Sequence, residues 1–438
     1  MKTLVRLKKL LTLAGAALFA SAASAVTITI DRVQQRYPWN NLVDIDYTLD
    51  GDVADSAIFE VKAVVDGTEY VAHKFKNQFG RTAGSHRVTW NTEGDGVRLF
   101  TKNATVGLSI TIEAPAGYDT VIFDLDAGTY TKMTLGSENY ASLNTDEYKT
   151  NKLAMRVIPA QTFTMIGGSH TSGIAPHEAT VSSFLIGVFE LTQAQWAKLT
   201  GNWPSFYSGN TECRDTRPVE RINWDMIRGT AAEGIAWPEA GHTVSETSFM
   251  ALLRAKFGGA VEFDLPTEAQ WCAAAQAGYT TKFGYLGDAY DADTILPNVR
   301  CRENAVDGLD WGKGSWNDTG SGAVAGSTVS TADTDVGTAT VGTYASNPYG
   351  LYDVIGNVFE WVLDKKVDPN STEPEVNPVG EYSSTGNNVM RGGSWVHTAA
   401  TYAASIDSRG YNPRNVVWTT SNTIAWRFGL RVAAPLVD

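Results

Sequence analysis

Two carboxylates, Asp353 and Glu360, stand seven residues apart in the stretch Gly350-Leu-Tyr-Asp-Val-Ile-Gly-Asn-Val-Phe-Glu-Trp361. Carboxylates around a glycine-bearing turn suit a hard divalent cation, which takes six to eight oxygen ligands. The same spacing also arises when an aspartate caps a turn and a glutamate pairs with an arginine, such as Arg391. His397 follows the phrase Arg391-Gly-Gly-Ser-Trp395, and Arg427-Phe-Gly-Leu-Arg-Val432 comes later. An imidazole can ligate a metal or move a proton. The second half has three other histidines, His170, His177 and His242, and their spacing does not gather a ligand set. The three cysteines, Cys213, Cys272 and Cys301, form neither a CxxC pair nor a Cys/His zinc spacing.

The elements that must position these residues fall into two halves. At 438 residues the chain is long enough for two domains. Residues 26–135 read as short strands: Val26–Ile30, Val43–Tyr47, Ala57–Val65, Glu69–Phe75, His86–Trp90 and Ala104–Ile112, with Gly and Asp between them. This pattern predicts an all-β, immunoglobulin-like sandwich. Gly84-Ser-His-Arg-Val-Thr-Trp90-Asn is similar to a strand common in bacterial immunoglobulin-like modules. His73 and His86 sit at strand positions and read as structural. Residues 136–152 are a polar connector. From Leu153 to 438 short strands mix with helices and glycine-rich loops, and eleven of the thirteen tryptophans lie here. So many indoles imply an aromatic core, a cleft, or both.

Three helices are expected in this half. One runs over Thr192–Leu199 with Thr192 as N-cap, and one over about Glu246–Phe257. A third begins at Thr267-Glu-Ala-Gln270, a capping box in which threonine and glutamine satisfy free N–H groups reciprocally. Cys272 on the third helix reads as a buried thiol, while Cys213 and Cys301, both in loops, are the better candidates for a disulfide. Residues 320–340 read as a solvated loop.

The first 25 residues read as a secretory signal: Lys2, Arg6, Lys8 and Lys9, an apolar run over Leu10–Ala20, then Ala23-Ser-Ala25. Export to the periplasm or beyond is therefore expected. The apolar run falls short of a membrane span. The full chain has a net charge of −13, and losing the signal makes it four units more negative. Such a chain repels phosphate backbones and anionic lipid, which argues against a nucleic-acid partner.

A series of phrases resembles the sulfatase-modifying-factor family, which includes the formylglycine-generating enzymes. In order they are Pro159-Ala-Gln-Thr-Phe-Thr-Met165, Phe189-Glu-Leu-Thr-Gln-Ala-Gln-Trp196, Gly201-Asn-Trp-Pro-Ser-Phe206, Pro218-Val-Glu-Arg-Ile-Asn-Trp224, Leu265-Pro-Thr-Glu-Ala-Gln-Trp271, and then the three phrases around Gly350, Arg391 and Arg427. The resemblance implies an α+β domain with a C-type-lectin-like arrangement. It also implies a calcium site with Asp353 and Glu360 as side-chain ligands and Gly356 and Val358 as carbonyl ligands. A second, looser calcium site would fall at Asn304, Ala305, Asn317 and Asp318.

The family's copper oxidases place two cysteines after the RGGS phrase, and thiolates suit Cu(I). Here His397 and Tyr402 fall at those positions, and no cysteine follows Cys301. The resemblance therefore does not carry copper to this chain. It leaves Ser394, Trp395, His397 and Tyr402 lining the corresponding cleft. The expected function is an exported, calcium-stabilised module that binds a protein, peptide or glycan. The alternatives are a divergent oxidase, of the formylglycine-generating or non-haem iron type, and a scaffold displaying a variable surface over Thr398–Ala425.

Overall fold

The computed structural model describes residues 26–36, 40–54, 57–97, 104–112, 116–168, 174–230, 243–305, 337–366, 373–378, 387–401, 404–416 and 427–437. The expected signal, Tyr402, Asn317, Asp318, His170, His242 and, within Thr398–Ala425, residues 402–403 and 417–425 lie outside these residues.

In the N-terminal part, β1 (Ile28–Gln35), β2 (Leu42–Leu49) and β5 (Gly84–Asn91) form one antiparallel sheet in the order β1-β2-β5. A second sheet has the order β4-β3-β6, from β3 (Ala57–Val65), β4 (Thr68–Ala72) and β6 (Ala104–Ile112). Alternation decides which face is buried. Ala57, Phe59, Val61, Ala63 and Val65 point inward, and so do Val43, Ile45 and Tyr47. With Phe75, Val88 and Trp90 they form one apolar cluster.

The hairpin of β7 (Thr120–Asp124) and β8 (Thr129–Met133), which the sequence placed with the sandwich, pairs elsewhere. β7 runs antiparallel to β9 (Lys152–Ile158), and the sheet continues through β12 (Phe184–Gly187) to β18 (Ala433–Ala434) in the order β18-β12-β9-β7-β8. Period-2 patterning says which face of a strand is apolar but not which sheet it joins, and both sheets here are antiparallel at this edge. The expected connector holds a 3₁₀ turn, Ser137–Leu143, and a short helix, Asp146–Thr150. It is tied in where Thr192 Oγ1 donates to the Lys149 carbonyl at 2.6 Å.

The remaining sheets complete the C-terminal part. β10 (Gln161–Met165), β11 (His177–Val181) and β14 (Glu375–Val376) form one. The other has the order β16-β15-β13-β17, from β13 (Phe359–Lys365), β15 (Asn387–Arg391), β16 (Arg409–Pro413) and β17 (Phe428–Gly429). The three expected helices are present as Gln193–Thr200, Phe249–Lys256 and Glu268–Gln276. Thr192 and Thr267 both make full capping boxes, with Gln195 and Gln270 as the reciprocal partners. Every residue of Glu268–Gln276 is buried, Cys272 among them. All three cysteines are free, so the bridge expected between Cys213 and Cys301 does not form. Among the described residues no helix is long and apolar enough to cross a membrane.

Candidate functional site

The three late sequence phrases meet in one sheet. Glu360 of β13 lies opposite Arg391 of β15 on one side and Gly429 of β17 on the other. The turn leading into β13 depends on Gly356. Its φ is 81°, and a Cβ there would sit 2.0 Å from the Arg300 carbonyl oxygen.

Glu360 is buried and fully engaged. Arg431 donates Nε to both carboxylate oxygens at 3.1 Å and Nη2 to Oε1 at 2.7 Å, and Trp271 Nε1 donates to Oε2 at 2.7 Å. Arg431 also donates to the carbonyls of Gly187, Val188 and Tyr352. The arginine beside Glu360 is therefore Arg431, not Arg391. Arg391 instead joins Arg409 on Glu268, at 2.7 and 2.6 Å. Burial alone would raise the Glu268 pKa, but the two guanidiniums overcome it and hold the acid down at about 2.

Asp353 has a left-handed backbone, φ 56°. Its Oδ2 accepts the Gly342 N–H at 2.6 Å, and its buried Oδ1 has no hydrogen-bond partner. Burial pushes its pKa up to about 6, with Glu360 adding to the rise. Glu190, which the sequence quoted only inside a phrase, is the third buried acid here. It accepts Asn357 Nδ2 at 2.6 Å and Val358 N–H at 3.0 Å. Burial first, then the charges of Asp353 and Glu360, raise it well above the usual carboxylate range. Three buried carboxylates thus share one buried guanidinium, that of Arg431.

Asp353 keeps a buried oxygen with no hydrogen-bond partner among the described residues, which suits a hard cation. Glu360 has no oxygen left to offer, because Arg431 and Trp271 take both. Among the described residues no three His, Cys, Asp or Glu side chains converge as a metal site. At the second expected site, Asn304 is engaged within the protein. Its Oδ1 accepts the Cys301 N–H, and its Nδ2 donates to the carbonyls of Leu296 and Val299. Ala305 lends its carbonyl to the Gly337 N–H.

The cleft residues form a separate constellation. Ser394 Oγ and His397 Nδ1 are 2.8 Å apart, and Arg427 Nη1 lies 3.3 Å from His397 Nε2. A guanidinium can only donate, so Nε2 accepts and Nδ1 carries the proton of the neutral ring. His397 therefore donates to Ser394 and cannot act as a base toward its hydroxyl. The half-buried imidazole meets Phe359 edge to face at 4.9 Å. Trp395 is buried against Tyr207 at 5.7 Å and anchored by its N–H to the Asn357 carbonyl. Arg427 lies over Phe428, and burial lowers its pKa to about 10. His177 is engaged with Glu375 and the Ala175 carbonyl.

A model of the sulfatase-modifying factor enzyme 1-like domain matches residues 140–435, well over half of the chain. The chain belongs to this family. Among curated relatives, the chaperone protein LppX of Paenibacillus barcinonensis is 26% identical over 262 residues, 55% of this chain and 81% of that protein. The formylglycine-generating enzyme of Mus musculus is 26% identical over 303 residues, 63% of this chain and 74% of the enzyme. A solved structure, Treponema denticola variable protein 1, aligns with a TM-score of 0.45 at 23% identity, over 65% of this chain and 96% of that one.

Copper(I) favours thiolate ligands. Cys272 and Cys301 are buried, and burial first pushes both thiols up to about 12, so neither offers a thiolate. The donor set at the cleft does not fit copper.

Proposed function

We propose that this family member is an exported binding module that has given up the copper oxidase reaction. The observation that carries the reading is the state of His397. By the family resemblance it falls at a cysteine position, and Ser394 and Arg427 together engage both of its ring nitrogens. Trp395 and Phe359 are buried behind the half-exposed His397 and back this part of the family's cleft. The N-terminal strands support an immunoglobulin-like module. Their orders, β1-β2-β5 and β4-β3-β6, match the two faces of such a sandwich with one edge strand fewer.

Calcium belongs to the same reading as a structural ion held by Asp353. The support is its buried oxygen, which has no hydrogen-bond partner among the described residues. The residues of the expected signal support export. The reading is tested by offering the purified protein a cysteine-bearing peptide with copper and oxygen and looking for the aldehyde.

A further inference from the structure

Arg427 immediately precedes β17. It is more than nine-tenths buried. Its Nη1 reaches His397 Nε2, yet its Nε has no hydrogen-bond partner. Burial lowers its pKa, and among the described residues no acid opposes that shift. The nearby chain offers none either: residues 392–406 and 415–430 contain no Asp or Glu. Four other buried arginines behave differently. Arg431 has Glu360, Arg391 and Arg409 share Glu268, and Arg228 holds Asp264.

A buried charge without a counter-ion is costly, and proteins seldom keep one except where a ligand completes it. Resting on the binding-module reading above, we propose that Arg427, with His397 and Ser394 beside it, receives a carboxylate group of the ligand. The stereochemistry favours that class. With Nη1 directed at His397, the unpartnered Nε lies on the Nε–Nη2 side of the guanidinium, whose two parallel N–H groups match the two oxygens of a carboxylate. One guanidinium beside a neutral imidazole and a hydroxyl balances a single negative charge. A phosphate dianion would leave the pocket overcharged. Ser394 can turn its hydroxyl proton to a ligand oxygen, because it accepts from His397 Nδ1–H.

The experiment is a titration of the full chain with acetate, acetamide and inorganic phosphate at constant ionic strength, read by thermal unfolding and calorimetry. Acetate should bind saturably and raise Tm, whereas acetamide, the same shape without the charge, should not. Arg427→Met should weaken acetate about tenfold or more while leaving the anion-free Tm unchanged or higher. A purely structural arginine would instead lose stability in that variant and show no difference between acetate and acetamide. Should Arg427→Met fail to fold, Ser394→Ala must weaken the acetate response on its own. Equal binding of acetamide, stronger binding of phosphate, or no response to acetate would overturn the proposal. Aldehyde formation from a cysteine peptide would sink the non-oxidase reading and leave the acetate result to be judged separately.

Discussion

Arg431 holds Glu360 by both carboxylate oxygens, 2.7 Å at the closest, with each side chain 1% exposed. The pair comes together because β17 runs parallel to β13, bringing the end of the chain alongside the Gly350–Trp361 stretch. Removing one partner of such a pair strands a buried charge. Glu360→Ala should therefore cost about 3–5 kcal/mol in denaturant unfolding. A loss below about 1 kcal/mol would mean that Arg431 finds other compensation.

Calcium should stabilise the folded chain through Asp353. The expected result is a Tm that rises with calcium and falls with EDTA in the wild type, and that responds to neither in Asp353→Ala. Identical melting of the wild type with calcium and with EDTA would remove the ion from the account. Glu360→Ala cannot stand in for this test, since its effect runs through Arg431.

Glu220 makes stability depend on pH. It is buried, its Oε1 accepts the Tyr207 N–H at 2.9 Å, and its Oε2 has no partner. Burial raises its pKa from 4.5 to about 8. The folded state therefore holds a proton that the unfolded state releases above about pH 4.5. The stabilisation is full below that pH and is lost as pH rises toward 8. Glu220→Gln should match the wild type near pH 5 and exceed it at pH 8, as measured by urea midpoints. An unchanged difference across that range would show that Glu220 ionises without cost.

Local signals were legible in the sequence and long-range pairings were not. The capping boxes at Thr192 and Thr267 are written within four residues, and both form. The strands Ala57–Val65 and Ala104–Ile112 end where their alternation ends. The hairpin Thr120–Met133 reads as one more pair of sandwich strands, and only its pairing with β9 moves it to the C-terminal sheet. Glu360 and Arg431 lie 71 residues apart, so choosing between Arg391 and Arg431 requires the sheet order. Glu190 gave no signal of its own, because its significance is electrostatic and depends on two acids distant in sequence. The same holds for Arg427, whose missing counter-ion is visible only once its surroundings are known.

The account stands or falls on whether His397 has replaced the chemistry or merely altered it. The most direct measurement is mass spectrometry of a cysteine-bearing peptide incubated with the pure, copper-loaded protein and oxygen. The cysteine should remain unconverted, in the wild type and in His397→Ala alike. Turnover to the aldehyde by the wild type, lost in His397→Ala, would contradict the account.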